Sequence, residues 1–161
     1  MGEKYDTPLG LLTLENFRPV GTRHRLFVGP KFLFSLFNPG DKLHTVCKLF
    51  MRFLRNNELP YRKLLVNDHV VDEAATRLKK RTSNKYTEAF IETIGSSGIY
   101  EEKITGDTEY SKAKETFLER TKLDAAFTDH LVAAHMKELN IDHIVTFDTH
   151  YDSFNLTTLP H

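Results

Sequence analysis

A single cysteine, Cys47, stands in the 161 residues, and tryptophan is absent. One cysteine excludes an intrachain disulfide and any zinc cluster built on thiolates, and Cys47 reads as a small buried hydrophobe. Net charge is missing too. The 22 basic and 22 acidic side chains cancel, so the whole molecule has no electrostatic bias towards nucleic acid or an acidic membrane, and any nucleic-acid contact must be local. Arg23-His24-Arg25, Arg62-Lys63 and Lys79-Lys80-Arg81 are the candidates, although runs this short are usually solvated surface. No apolar run approaches a membrane span, and Met1-Gly2-Glu3-Lys4-Tyr5-Asp6 lacks the cationic-then-apolar order of a secretory signal. A cytoplasmic protein with no membrane partner is therefore expected. Gly95-Ser96-Ser97-Gly98 lacks the Walker lysine and the dinucleotide spacing, so no phosphate loop is present. Of the eight histidines, His130 and His135 are 5 apart and no His-Glu-x-x-His occurs, which argues against a helix-borne zinc site.

What is present is 40% hydrophobic residues, enough for one folded globule with a sizeable core. Residues 1–22, with Pro8-Leu9-Gly10, Leu11-Leu12-Thr13-Leu14 and Pro19-Val20-Gly21, read as an N-terminal appendage, and residues 23–161 as the domain. Within the domain, strand patterns alternate with helix patterns. Leu26-Phe27-Val28 is the first core strand, followed by a short buried helix over 31–37 with Pro30 in its first turn. Asp41 is placed to cap a helix over 42–55, where Leu43, Val46, Cys47, Phe50, Phe53 and Leu54 repeat at three and four residues. Leu64-Leu65-Val66 is a second strand, and Asn67 or Asp68 caps the helix carrying Val70, Val71, Ala74, Ala75 and Leu78. Asp72 and Glu73 lie on opposite flanks of that helix, and periodicity does not choose between them. A helix through Tyr86, Ala89, Phe90 and Ile94, a strand over 99–104, a polar helix over 107–122 and a last strand within 154–160 complete the alternation, which points to an α/β sheet.

The stretch from Leu123 to Asp152 places acids at both ends of one helix-then-strand unit. Thr128-Asp129 opens a helix running to Asn140, and the strand Ile141 to Phe147 ends just before Asp148. In open α/β sheets, sites form outside the carboxyl ends of the strands, and Asp129 lies in the positive field of a helix N-terminus. Asp129 is equally readable as a helix cap, and Asp148 as an ordinary turn residue.

Taken in order, Val28-Gly29-Pro30-Lys31-Phe32-Leu33-Phe34-Ser35-Leu36-Phe37-Asn38, Asn67-Asp68-His69-Val70-Val71-Asp72-Glu73-Ala74-Ala75-Thr76, Thr128-Asp129 and Thr146-Phe147-Asp148 resemble a PIN domain, in particular the VapC-type toxin ribonucleases. Asp41 and His44 also resemble an acid and His pairing common after the family's first helix. The resemblance spans Leu26 to Leu159. It implies a three-layer α/β/α sandwich with a central, mostly parallel sheet that brings four acidic positions together around Mg²⁺ or Mn²⁺ for RNA cleavage. It assigns Glu73, rather than Asp72, with Asp129 and Asp148 as catalytic and metal-binding acids, and Thr128 as the polar neighbour of the metal water; Asp152 is a candidate outer partner that the motif does not require. It further implies RNA as substrate, an antitoxin-like protein partner and a homodimer. The departure is at Gly29, where the family has an Asp directly after the first strand. Lys31 is expected to place a cation near the metal position, and Asp68 or Asp72 to offer a substitute carboxylate. Two expectations follow: a metal-dependent endoribonuclease with an altered acidic site, or a degenerate PIN-like module that binds RNA or a protein without cutting.

Overall fold

The computed structural model describes residues 2–161. A hairpin of β1 (Tyr5–Thr7) and β2 (Gly10–Leu12) and a 3-10 helix (Leu14–Phe17) precede the main sheet. The chain then runs β3 (Arg25–Val28), α1 (Pro30–Phe37), α2 (His44–Arg55), β4 (Lys63–Asn67), α3 (Asp68–Arg81), α4 (Asn84–Ser96), β5 (Tyr100–Lys103), α5 (Asp107–Glu119), α6 (Phe127–Glu138) and β6 (His143–Val145), and after a second 3-10 helix (Thr149–Phe154) ends on β7 (Thr157–Leu159). The sheet order is β5-β4-β3-β6-β7, and every neighbouring pair is parallel.

The central strands β3, β4 and β6 are short and mostly apolar because both of their faces are covered, whereas the edge strand β5 is largely charged. Leu26, Phe27 and Val28 of β3, like Leu64, Leu65 and Val66 of β4, are fully buried. The crossovers from β3 to β4 and from β4 to β5 move one way across the sheet, whereas β5 to β6 returns past β3. Right-handed crossovers of opposite direction put their helices on opposite faces, which makes the sandwich three layers deep. The reversal lies between β3 and β6, where Val28 pairs with Val145. Their carboxyl ends are therefore neighbours at a switch point, the usual seat of a site.

Gly29 is the N-cap of α1 and Pro30 stands in its first turn, where a missing N–H costs no hydrogen bond. Asn67 caps α3 by accepting from the Val70 N–H at 2.8 Å, which decides between the two expected caps, Asn67 and Asp68. At α2 the expected start gives way: the N-cap is Leu43, with no side-chain cap. Asp41 Oδ1 instead accepts from the Leu43 N–H at 2.9 Å, a turn that delays the helix by two residues relative to Lys42.

The N-terminal segment is built into the core. Phe17 is fully buried, with its ring centroid 5.5 Å from that of Phe50 and 6.0 Å from that of Phe53, and its carbonyl accepts from the Tyr61 hydroxyl at 2.7 Å. Arg23 clamps Asp142 through two hydrogen bonds, at 2.7 and 2.9 Å. His143 links Asp142, 2.7 Å from its Nδ1, to the Val20 N–H, which donates to its Nε2 at 3.0 Å. This double use fixes the ring as the Nδ1–H tautomer. No helix among the described residues is long and apolar enough to cross a membrane.

Candidate metal centre

The site grows out of the β6 to 3-10 connection and the start of α6. Thr146, the residue after β6, turns its Oγ1 to accept from the Asp148 N–H at 3.1 Å. Asp148 Oδ1 in turn accepts from the His150 N–H at 3.1 Å, capping the 3-10 helix Thr149–Phe154. These two local bonds fix the Asp148 carboxyl over the carboxyl end of β6. Asp129 is held from α6: its Oδ2 accepts from the Ala126 N–H at 2.9 Å as half of a cap, and its Oδ1 accepts from the Tyr151 hydroxyl at 2.9 Å. It serves as a cap and faces Asp148 and His150 as well. Tyr151 is fully buried, and its phenol is held well above its ordinary range by burial, then by the Asp129 charge it donates to.

His150 completes the cluster. Its Nδ1 stands 2.8 Å from Asp148 Oδ1 and 3.5 Å from Asp129 Oδ2. The shorter approach is not aligned as a hydrogen bond, so this solvent-inaccessible nitrogen has no hydrogen-bond partner. One ligand atom each from Asp129, Asp148 and His150 lie within 4.8 Å of one another.

Glu73 is half-buried on α3, outside this trio. It nonetheless feels the cluster: burial, then the Asp129 charge, raise its pKa above the ordinary carboxylate value, Asp148 adds to the rise, and Arg77 and Lys31 oppose it. Asp72, by contrast, is exposed and accepts only from Thr76 Oγ1, at 3.4 Å. Of the two flanks left open by periodicity, Glu73 is the half-buried one and the one on which the Asp129 and Asp148 charges act. Asp68 is already engaged, accepting from the Thr105 N–H at 2.9 Å and its hydroxyl at 2.6 Å. Burial works against the Asp68 charge, but the Thr105 bonds outweigh it and hold the pKa below the usual value. Neither Asp68 nor Asp72 replaces the carboxylate missing at Gly29. Thr128 is half-buried at the head of α6 beside Asp129, and Asp152 is exposed, accepting from Thr158 Oγ1 at 3.2 Å.

Where Gly29 lacks a side chain, its neighbours have closed in. A Cβ on Gly29 would meet Thr146 Oγ1 at 2.7 Å and Thr146 Cβ at 3.0 Å. The Lys31 ammonium pairs with Asp148 Oδ2 at 3.4 Å, so the expected cation beside the acids is there. The basic runs at Arg25 and Lys63 open β3 and β4, at the end of the sheet away from the site, and Arg23 is committed to Asp142. Asp41 and His44 are tied into the α1–α2 junction, His44 Nδ1 lying 2.9 Å from the Ser35 carbonyl. No local sequence pattern marks His150 or Tyr151. The signal available was their position two and three residues beyond Asp148.

No family profile and no curated protein matches the sequence. Solved structures do. VapC20 of Mycobacterium tuberculosis, described as a sarcin–ricin loop cleaving toxin, is similar at a TM-score of 0.72 and 21% identity, over 82% of this chain and 96% of that one. The fold is that of a PIN domain. VapBC2 of Rickettsia felis, bound to a DNA fragment from its promoter, has a TM-score of 0.61 at 17% identity, over 83% of this chain and 96% of its own. FitAcB of Neisseria gonorrhoeae gives 0.55 at 14%, over 84% and 97%.

The donor set of this PIN fold suits a divalent ion. Asp129 and Asp148 offer hard carboxylate oxygens, each with a lone pair left beyond the bonds described. The unbonded His150 nitrogen points among them.

Proposed function

We propose that the chain is a divalent-metal-dependent endoribonuclease of the toxin type, hydrolysing RNA phosphodiester bonds at an altered acidic site. The observation that carries this reading is the meeting of Asp129 and Asp148 at the β3/β6 switch point of a fold shared with a sarcin–ricin loop cleaving toxin. Asp129 and Asp148 would hold Mg²⁺ or Mn²⁺, with Glu73 adding negative charge to the site. Such an ion supplies an acidified water and neutralises charge on the phosphoryl oxygens.

The chain's own groups do the positioning. Tyr151 and the Ala126 N–H orient Asp129, Thr146 and the His150 N–H orient Asp148, and the half-exposed Lys31 ammonium offers a cation to an approaching phosphate. Thr128 and Asp152 would serve the outer hydration of such an ion. An antitoxin-like protein is the proposed partner, by likeness to the VapBC2 assembly, together with a second copy of the chain, and the cytoplasm is the proposed place of action.

A second reading, a non-catalytic module that binds RNA or a protein, is favoured by one specific observation: Thr146 fills the space of the missing Gly29 side chain, and Lys31 already neutralises Asp148. Cleavage of a structured RNA hairpin in Mn²⁺, in Mg²⁺ and in chelator separates the two. The nuclease reading expects metal-dependent scission, and Asp129→Asn, which keeps an acceptor for its cap, is expected to lose more than about 100-fold, beyond the usual cost of a merely supporting contact. RNA binding without scission under every condition establishes the second reading.

A further inference from the structure

The missing carboxylate at Gly29 leaves a question of what completes the coordination sphere, and the answer lies on the other side of the site. Three observations converge on His150. Its Nδ1 is inaccessible to solvent yet has no hydrogen-bond partner, a condition that costs free energy and that native structures rarely keep without a reason. That nitrogen lies 2.8 Å from Asp148 Oδ1 and 3.5 Å from Asp129 Oδ2, while neighbouring ligands of an octahedral ion with bonds of about 2.1 Å stand about 3.0 Å apart. One ligand atom from each of Asp129, Asp148 and His150 lies within 4.8 Å of the other two, so the three donors are gathered on the scale of a single coordination sphere.

The main chain at His150 is held beside the acids independently of any ion, because the His150 N–H is tied to Asp148 Oδ1 by the cap of the 3-10 helix. Glu73, outside the trio, adds charge from a distance. The first-strand side, where a fourth carboxylate would stand, is closed by Thr146 and carries the Lys31 ammonium instead.

We infer that His150 is a direct ligand of this centre through Nδ1, so that the site is a two-carboxylate, one-imidazole centre selective for first-row transition-metal ions over Mg²⁺. Mg²⁺ prefers oxygen ligands and keeps most of its waters, whereas imidazole nitrogen strengthens binding of the transition ions. Lys31 is an internal competitor: its ammonium lies 3.4 Å from Asp148 Oδ2 and repels a cation bound at the same carboxylate.

The inference rests on the metal-centred reading above for its location, and its test uses no RNA. Metal-stripped full-length chain is titrated with Mn²⁺, alone and against Mg²⁺, by calorimetry, and the Mn²⁺ complex is examined by pulsed electron paramagnetic resonance for coupling to nitrogen. One bound Mn²⁺ with nitrogen coupling is expected. His150→Ala should abolish that coupling and weaken Mn²⁺ by more than about tenfold, with a much smaller effect on Mg²⁺. Lys31→Met should tighten Mn²⁺. Mn²⁺ bound without nitrogen coupling, or equally well by His150→Ala, overturns the assignment, and so does the absence of Mn²⁺ binding in both the parent and Lys31→Met. The two readings fail separately. Metal-dependent RNA cleavage with unchanged Mn²⁺ affinity in His150→Ala leaves the nuclease and removes the ligand, whereas nitrogen-coupled Mn²⁺ without cleavage leaves the ligand and removes the nuclease.

Discussion

A Cβ built on Gly29 would lie 2.7 Å from Thr146 Oγ1 and 3.0 Å from Thr146 Cβ, so an acid at this position and a Thr in this rotamer exclude one another. Backbone strain is not the obstacle, because Gly29 has φ −81° and ψ 160°, a conformation open to any residue. Thr146 is in turn not free to move without loss, since its hydroxyl accepts from the Asp148 N–H. Gly29→Ala is therefore expected to destabilise the fold by about 1–3 kcal/mol, as overpacking does. In a Thr146→Ala background the cost should shrink, because the closest contact is gone. Denaturant unfolding of the four proteins of this cycle measures the coupling, and additive effects would show that the two positions are independent. Any attempt to restore a carboxylate at Gly29 must carry the Thr146 change with it.

At the level of elements, continuous apolar runs and helical repeats were enough to place β3, β4 and the helices around them, because those segments are buried on the faces that the pattern marks. Boundaries shifted where turns intervened, as at Asp41 before α2 and at Thr146, where the expected strand through Phe147 ends at Val145. Asp129 and Asp148 were visible through their places at a helix start and a strand end. Glu73 could not be separated from Asp72 by periodicity, since the choice depends on what lies across from α3. His150 and Tyr151 escaped because their roles are created by a 3-10 helix that folds back on α6, a contact no local pattern encodes. The N-terminal segment was obscure for a similar reason: Leu14–Phe17 is only one short 3-10 helix, and its importance lies in Phe17 reaching Phe50, Phe53 and Tyr61. Phe17→Ala is expected to cost about 3–5 kcal/mol, the range for truncating a fully buried aromatic. Urea unfolding checks it, and a loss below about 1 kcal/mol would mean that this segment only rests on the domain.

Across the whole molecule, formal neutrality conceals an uneven distribution of charge. The net charge is +0, yet Asp129 and Asp148 meet at one end of the sheet and act on Glu73 of α3, an effect that Arg77 and Lys31 oppose. Folding brings these acids together, and the strain falls on Glu73, whose pKa is raised first by burial and then by Asp129. The direction of the pH dependence follows. Between the unfolded carboxylate value of about 4.3 and the higher folded one, the folded chain binds more protons than the unfolded chain, so this group's contribution to stability falls as pH rises. The penalty is absent below the unfolded value and complete above the folded value. Glu73→Gln removes a charge and almost no volume. In chelator, its melting temperature is expected to exceed the parent's at pH 7 and to converge with it near pH 4, because the parent's Glu73 is then largely neutral. Thermal unfolding at several pH values decides the matter: a Gln variant no more stable than the parent at pH 7 would show that Arg77 and Lys31 already compensate the cluster in full.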